Sequence, residues 1–427
     1  MSPAIVTLII LAFVALFFVT EIIPLAVTAM MGAIACGIAG VIPTKLVFSG
    51  LSNSTVVLFA GMFVIGSAMF HTGLAQTIGV RVVKMVGTGE NGLMAGVMLI
   101  AAVLSSVSSN TGTTAALMPV IVGICAAARI PASRQLMPLA FGAGAGGIMT
   151  LVGTPPNILA SGALANAGYQ PFGFFEFAWI GFPLTIAAII YMIFIGKRLL
   201  PTRDIQANIE IDGEAASAAQ AADNSVIKQV ITAATLVGVV IVMALDIKAV
   251  PLQMAAIMGA IVLVLTKCIT EKQAYAGIDW VTIFLFAGMM PVSTAMDVIG
   301  AGKLIADAVV SVLGGSPTPL VVMGVLFVLS CGLTQFMSNT ASTALLAPIG
   351  ISIAQSIGAS PHAVLMAIAV AASCAFATPV GTPPNTLVLG PGGYRFMDYM
   401  KCGAPLILIC LAVSMVIIPI VWPFFPS

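Results

Sequence analysis

The sequence predicts an all-helical polytopic membrane protein built as two inverted repeats, each with five spans and one re-entrant hairpin. Three observations predict it. Sixty per cent of the 427 residues are hydrophobic and seven per cent are charged, and apolar runs recur from end to end, which excludes a soluble fold. A small-polar cluster, Ser109-Asn110-Thr111, returns as Ser338-Asn339-Thr340. A helix-breaking segment, Gly153-Thr154-Pro155-Pro156-Asn157, returns as Gly381-Thr382-Pro383-Pro384-Asn385. The offsets are 229 residues for Asn110 and 228 for Thr154. Irregular backbone at membrane depth survives only where protein buries it or a wet cavity lines it. Paired interruptions in two halves are the sequence mark of a transporter binding site.

The net charge of +1 points to no class of partner, and there is no basic cluster suited to nucleic acid. The seven cysteines are scattered without CxxC spacing and read as packing residues. His71 and His362 lack ligand spacing. The N-terminal apolar run has no basic flank and no small-residue cleavage site before Glu21, so it reads as a span and not as a signal peptide.

Spans follow from apolar length, since about 20 residues cross the hydrocarbon. The first covers 3–20. Glu21 and Pro24 turn the chain into the second, 23–42. Pro43-Thr44-Lys45 opens a polar loop, and the third span covers 54–70. His71 to Val86, with Arg81 and Lys84 on one side, reads as an amphipathic interfacial helix. Apolar arms of 93–105 and 115–128 flank the tip at 105–114, each too short to cross alone, and predict the re-entrant hairpin. Residues 135–152 begin a span that breaks at Gly153 and resumes at Asn157. Residues 174–196 end the first half, 1–199.

Residues 200–225 hold Arg203, Asp204, Glu210, Asp212, Glu214 and Asp223 among alanines and read as a linker. The second half, 226–427, repeats the plan. Spans cover 226–245, 252–267 and 279–296. Leu58-Phe59-Ala60-Gly61-Met62 returns as Leu285-Phe286-Ala287-Gly288-Met289. The interfacial helix covers 300–313, and arms of 318–336 and 341–357 flank the tip at 334–343. A broken span covers 362–380 and resumes after Pro384, and 402–424 ends the chain.

Five spans per repeat insert the halves in opposite orientation, and ten crossings leave both termini on one side. With the termini outside, only Lys45, Lys248 and Lys303 of the 15 Lys and Arg face outward. That positive-inside bias puts the linker in the cytoplasm and the chain in the inner (plasma) membrane, with extracytoplasmic termini.

The motifs suit a small anion. A helix N-terminus carries partial positive charge and binds anions without a basic side chain. The second arms of both hairpins and the segments after Pro155-Pro156 and Pro383-Pro384 supply four such ends. Asn110, Thr111, Asn339 and Thr340 add amides and hydroxyls. The broken spans also free carbonyl oxygens, which with Ser, Thr and Asn coordinate Na+ in such carriers. Ser105 lies four residues before Ser109, and Thr334 four before Ser338, so helical arms would put each pair on one face. No Asp, Glu, Lys or Arg falls within the motifs, which favours Na+ over proton coupling. The glycines Gly142, Gly144, Gly146 and Gly147 read as close helix packing.

Together the paired Ser-Asn-Thr tips and Thr-Pro-Pro-Asn breaks resemble the divalent anion:sodium symporter family of di- and tricarboxylate carriers, over nearly the whole chain. The resemblance implies a homodimer of protomers, each with a scaffold and a mobile transport domain, and elevator-type movement. It implies one Na+ site on Ser105, Ser109, Asn110 and Gly153 and another on Thr334, Ser338, Asn339 and Gly381. Substrate carboxylates would meet Asn110, Thr111, Thr154, Asn339, Thr340 and Thr382. The chain departs from many members in lacking an additional N-terminal span, and in Gly112-Thr113-Thr114 where Ala-Thr-Ala is common.

The expected function is Na+-coupled symport of a small dianion, foremost a C4-dicarboxylate, across the lipid bilayer. A sulfate or citrate carrier, or an anion exchanger, is the alternative within the family. An anion channel would use the same helix ends with a continuous pore. An enzyme is disfavoured: there is no nucleophile–base pair, metal spacing or phosphate loop.

Overall fold

The computed structural model describes residues 2–86, 89–203, 225–245, 247, 249–312 and 317–425. The linker residues 204–224, Gly87, Asp246 and Lys248, and the side chain of Lys84, lie outside the described residues. The described residues are helical, with no strand among them.

The first helices are α1 (Pro3–Thr20), α2 (Leu25–Ile38), α3 (Ser54–His71) and α4 (Leu74–Val86). The next are α5 (Glu90–Ser105), α6 (Asn110–Ala128), α7 (Leu136–Gly147), α8 (Pro155–Asn166) and α9 (Ala178–Leu199). The series then repeats as α10 (Val226–Ala244), α11 (Leu252–Leu265), a short extra α12 (Glu271–Ala276), α13 (Trp280–Ile299) and α14 (Ala301–Val312). It continues as α15 (Pro319–Thr334), α16 (Asn339–Ser356), α17 (Pro361–Ser373), α18 (Pro383–Leu389) and α19 (Phe396–Val421). Among the described residues, seven helices are long and apolar enough to cross a membrane. The outward faces of the apolar helices carry Ile9, Leu16, Val237, Leu265, Leu408 and Ile420, all exposed, as lipid contact requires.

Several boundaries differ from the sequence reading, each for a local reason. The second hairpin arms begin at Asn110 and Asn339 because Ser109 and Ser338 act as N-caps there, drawing the polar tip residues into the helices. Those arms run 19 and 18 residues, and the first of them, Asn110–Ala128, is long and apolar enough to cross, so the expectation that both arms of the first hairpin are too short does not hold for its second arm. The second span is shorter than expected: α2 stops at Ile38, and two 3-10 turns, Thr44–Leu46 and Ser49–Ser52, carry the chain to α3. The first broken span ends at Gly147, before the predicted Gly153.

Within the membrane lipid is as apolar as the side chains, so helices associate through close packing. The Leu-Phe-Ala-Gly-Met repeat shows how. A Cβ on Gly61 of α3 would lie 2.7 Å from the backbone carbon of Ala256 in α11. A Cβ on Gly288 of α13 would lie 2.6 Å from that of Ala29 in α2. Each glycine thus lets a helix of one half touch the backbone of the other half. Inside this pairing, α5 packs on α7 and α15 on α17. The resumed helices cross over: α8 packs on α16 and α17, and α18 on α6 and α7. That interleaving brings both tips and both breaks together.

Candidate functional site

Tips and breaks meet at one cavity of about 530 Å³. Its wall contains Ser109, Asn110 and Thr111, Ser338, Asn339 and Thr340, Gly153 and Thr154, and Gly381 and Thr382. All six expected substrate residues therefore line one space. Phe59, Phe63 and Phe70 of α3 and Leu285 of α13 supply an apolar side. Ser105 and Thr334 do not line the cavity; both are fully buried behind their tips.

The tips are built by capping. The Ser109 hydroxyl accepts from the Gly112 N–H at 3.0 Å, and the Ser338 hydroxyl from the Ala341 N–H at 3.1 Å. The expected shared face of Ser105 with Ser109, and of Thr334 with Ser338, is not formed. Helix α5 ends at Ser105 and α15 at Thr334, so helical spacing does not apply across the turn.

Behind each tip the oxygens converge. Oδ1 of Asn110 accepts from the Ser105 hydroxyl and lies 3.3 Å from the Ala143 carbonyl oxygen and 3.2 Å from that of Gly153. Oδ1 of Asn339 accepts from the Thr334 hydroxyl at 2.7 Å and lies 3.2 Å from the Ala372 carbonyl oxygen and 3.1 Å from that of Gly381. Apart from that one hydroxyl, each amide oxygen faces only carbonyl acceptors. Two conditions resolve such a cluster: the amide turns over and its NH2 donates to the carbonyls, or a cation sits among the oxygens. An all-oxygen donor set fits Na+, a hard cation, and offers nothing to a soft one.

Glycine makes the clusters possible. A Cβ on Gly147 would lie 2.4 Å from Oδ1 of Asn110, one on Gly153 2.5 Å from the Gly147 carbonyl oxygen, and one on Gly381 2.8 Å from the Thr334 carbonyl oxygen. The packing role expected for Gly142 and Gly146 holds, since both press on the α5 backbone at Met98 and Ala102. Gly147 instead makes room for Asn110. The Ala143 and Ala372 carbonyls were not foreseen, because a main-chain ligand leaves no trace in side-chain identity.

The breaks hold their shape through one asparagine each. Nδ2 of Asn157 donates to the carbonyls of Thr150 at 2.7 Å and of Gly147 and Ile148 at 3.3 Å. Nδ2 of Asn385 donates to those of Ala375 at 2.8 Å and Thr378 at 2.9 Å. These satisfy carbonyls that a helix end leaves orphaned. Both asparagines are buried, so they act as struts behind the site. The Thr378 hydroxyl donates to the Gln335 carbonyl at 2.6 Å, and the Thr150 hydroxyl to that of Ser106, tying break to tip in each half.

No basic side chain lines the cavity, and Asp279 is its one ionisable lining residue among those described. An anion there would rest on the N-termini of α6, α8, α16 and α18. Thr154 and Thr382 precede α8 and α18 in extended conformation and make no side-chain capping bond. The paired prolines that follow carry no N–H, and the N–H groups of Asn157 and Asn385 bond back to the Thr154 and Thr382 carbonyls at 3.2 and 3.1 Å, so these two ends offer the helix dipole and no free N–H donor.

Two further groups of polar contacts involve residues that do not line the cavity. In one, Arg134 pairs with Glu90 at 2.7 Å and donates to the Lys197 carbonyl at 2.6 Å, while Arg203 pairs with Asp398 at 2.8 Å. Beside them the Tyr394 hydroxyl donates to the Ser133 carbonyl at 2.6 Å and accepts from the Met137 N–H at 2.8 Å. Burial holds the Tyr394 phenol well above the usual tyrosine range, so it keeps the proton it donates. In the other group, Trp422 donates to Glu176 at 2.5 Å and His362 meets the Gln170 carbonyl at 2.9 Å.

Known proteins agree with this architecture. The chain is similar to the YdaH transporter of Alcanivorax borkumensis, with a TM-score of 0.61 at 15% identity, covering 90% of this chain and 89% of that one. It is similar to MtrF of Neisseria gonorrhoeae, with a TM-score of 0.62 at 12% identity, covering 87% and 82%. In sequence it is 25% identical to the uncharacterized transporter YfbS of Escherichia coli, over 97% of this chain and 98% of that protein. It is 24% identical to the sodium-dependent dicarboxylate transporter SdcS of Staphylococcus saprophyticus, over 95% and 83%. The citrate transporter family model, CitMHS, matches residues 15–361 and 247–426. The protein is a multi-pass membrane transporter, not an enzyme, and it belongs to the citrate transporter family.

Proposed function

We propose that the protein is a Na+-coupled carrier of a small dianion, foremost a C4-dicarboxylate. The observation that carries the reading is the pair of matching clusters at Asn110 and Asn339, each gathering a hydroxyl and two main-chain carbonyl oxygens around a side-chain amide directly behind a tip that lines the cavity. One Na+ belongs with Ser105, Asn110, Ala143 and Gly153, the other with Thr334, Asn339, Ala372 and Gly381. Ser109 and Ser338 hold the tips as caps, which narrows the ion ligands expected from sequence. Substrate carboxylates belong with Asn110, Thr111, Thr154, Asn339, Thr340 and Thr382. Bound Na+ adds positive charge beside the substrate and fixes the tips.

Two inverted repeats, residues 1–199 and 226–427, joined by a cytoplasmic linker at 200–225, fit the matched helix series. Helices α5–α8 and α15–α18 form the moving unit of an elevator, with α4 and α14 as its arms and a homodimeric scaffold around it. Extracytoplasmic termini agree with the grouping of Arg134, Lys197 and Arg203 on one face. The name of the staphylococcal relative supports sodium and dicarboxylate; the family model's name supports citrate as the second reading.

The test is uptake into proteoliposomes of labelled succinate, citrate and sulfate, with Na+ or choline outside. Saturable, Na+-dependent succinate uptake with counterflow is expected. Non-saturating flux would indicate a channel. Uptake indifferent to Na+ would indicate anion exchange.

A further inference from the structure

The cavity wall contains a charge of the wrong sign. Asp279 caps α13 from the cavity side, Oδ1 accepting from the Thr282 N–H at 3.2 Å and Oδ2 from the Thr282 hydroxyl at 2.5 Å. Asp279 is exposed and lines the cavity. Every other lining residue is apolar or neutral. The equivalent helix of the first half, α3, is capped by Asn53, whose Oδ1 accepts from the Thr55 N–H at 2.8 Å. Asn53 is neutral and does not line the cavity. An amide therefore suffices as the cap in this architecture, and the carboxylate is not needed for the helix.

We propose that Asp279 is a specificity-determining residue that limits the charge of the anion the cavity accepts, opposing it in proportion to its charge. The proposal rests on the anion-carrier reading. A fixed carboxylate repels a ligand with an energy linear in ligand charge, so each further negative charge lowers affinity by the same factor. The attraction from helix N-termini is fixed in number, whereas this repulsion grows. Dianions are retained and trianions are penalised. Because Asp279 is held at both oxygens by Thr282, it does not swing away when the ligand enters.

The experiment compares full-length wild type with Asp279→Asn and Asp279→Glu in detergent, by calorimetry in low-salt buffer containing Na+. The probes are succinamate, succinate and tricarballylate, carrying one, two and three negative charges at pH 8. The ratio of variant to wild-type affinity is read separately for each ligand, so differences of fit cancel. For Asp279→Asn the gain should step up by about threefold per ligand charge, to roughly 3-, 10- and 30-fold, and shrink at high ionic strength. Asp279→Glu, which keeps the charge, should follow wild type. Equal gains for all three ligands, no gain, or a loss of affinity would overturn the proposal while leaving the carrier reading in place. If none of the proteins binds any of the three anions, the carrier reading falls and the proposal with it. Melting temperatures of all three proteins confirm folding, and the neutral cap at Asn53 leads us to expect Asp279→Asn to match wild type.

Discussion

The hydroxyl of Thr334 stands 2.7 Å from Oδ1 of Asn339, and its single proton is equally claimed by the Ala372 carbonyl, also at 2.7 Å. One O–H serves one acceptor well, so two acceptors compete for it and the amide oxygen also faces Gly381. Under the carrier reading a cation resolves this contest. Asn110→Ala and Asn339→Ala should each abolish Na+-dependent uptake with expression and melting temperature preserved. Normal uptake by either variant would remove the asparagines from the site.

Gly147 gives a test that removes no ligand. Its added Cβ would lie 2.4 Å from Oδ1 of Asn110, and Gly147, the last residue of α7, has no positive φ that would itself bar alanine. Gly147→Ala should lower apparent Na+ affinity at least tenfold, a cost of about 1.4 kcal/mol, by displacing the amide. Unchanged Na+ affinity would show that the amide has another place to go and that the cluster around it is not an ion site.

Substrate and sodium should help one another. Helix ends contribute about 0.3–2 kcal/mol each to holding an anion, little against the cost of desolvating a dianion. Succinate affinity should therefore rise with Na+ concentration, and Na+ affinity should rise by the same factor with succinate. Ser105→Ala should weaken Na+ through the first tip and Thr334→Ala through the second. Calorimetry with choline replacing Na+ at constant ionic strength checks this; equal succinate affinity in choline would exclude coupling.

Asn385 should matter for stability more than for recognition. Replacing it with Leu orphans the Ala375 and Thr378 carbonyls, at about 1–3 kcal/mol each. Thermal unfolding of Asn385→Leu should shift down clearly, and excess Na+ and succinate should recover part of the shift. A melting temperature equal to wild type would mean that water satisfies the break.

Topology is open to labelling. A cysteine at Ser2, beside the exposed start of α1, should react with an impermeant maleimide added to intact cells. A cysteine at Arg198, exposed beside Lys197 at the end of α9, should react only after lysis. The reverse pattern would invert the orientation proposed from the charge count.

Sequence carried the helical series and the paired site far, because apolar length and proline breaks act locally. Fifteen or so apolar residues ending in Ser-Asn-Thr read the same in any context, so the helix–tip–helix segments were legible. The roles of Ser109 and Ser338 were not, since whether a hydroxyl caps a helix or binds an ion depends on where the preceding helix stops. Ala143 and Ala372 were invisible because they contribute through the main chain. Asn157 stood inside a recognised motif, yet its work as a strut emerges only when three carbonyls are seen to face its amide.

Each oxygen cluster is drawn entirely from its own half of the chain, Ser105 to Gly153 in one and Thr334 to Gly381 in the other. The driving force of such a carrier is then assembled from separable parts. Removing one cluster would delete one coupling ion and leave the other intact, stepping the attainable concentration ratio down without rebuilding the substrate cavity. With each net charge moved worth about 2.3 kcal/mol per 100 mV, a single substitution at Ser105 or Thr334, which lie behind the cavity wall, would reset how steeply the protein accumulates its cargo. Duplicated architecture thereby gives natural variation a gear ratio to change one notch at a time.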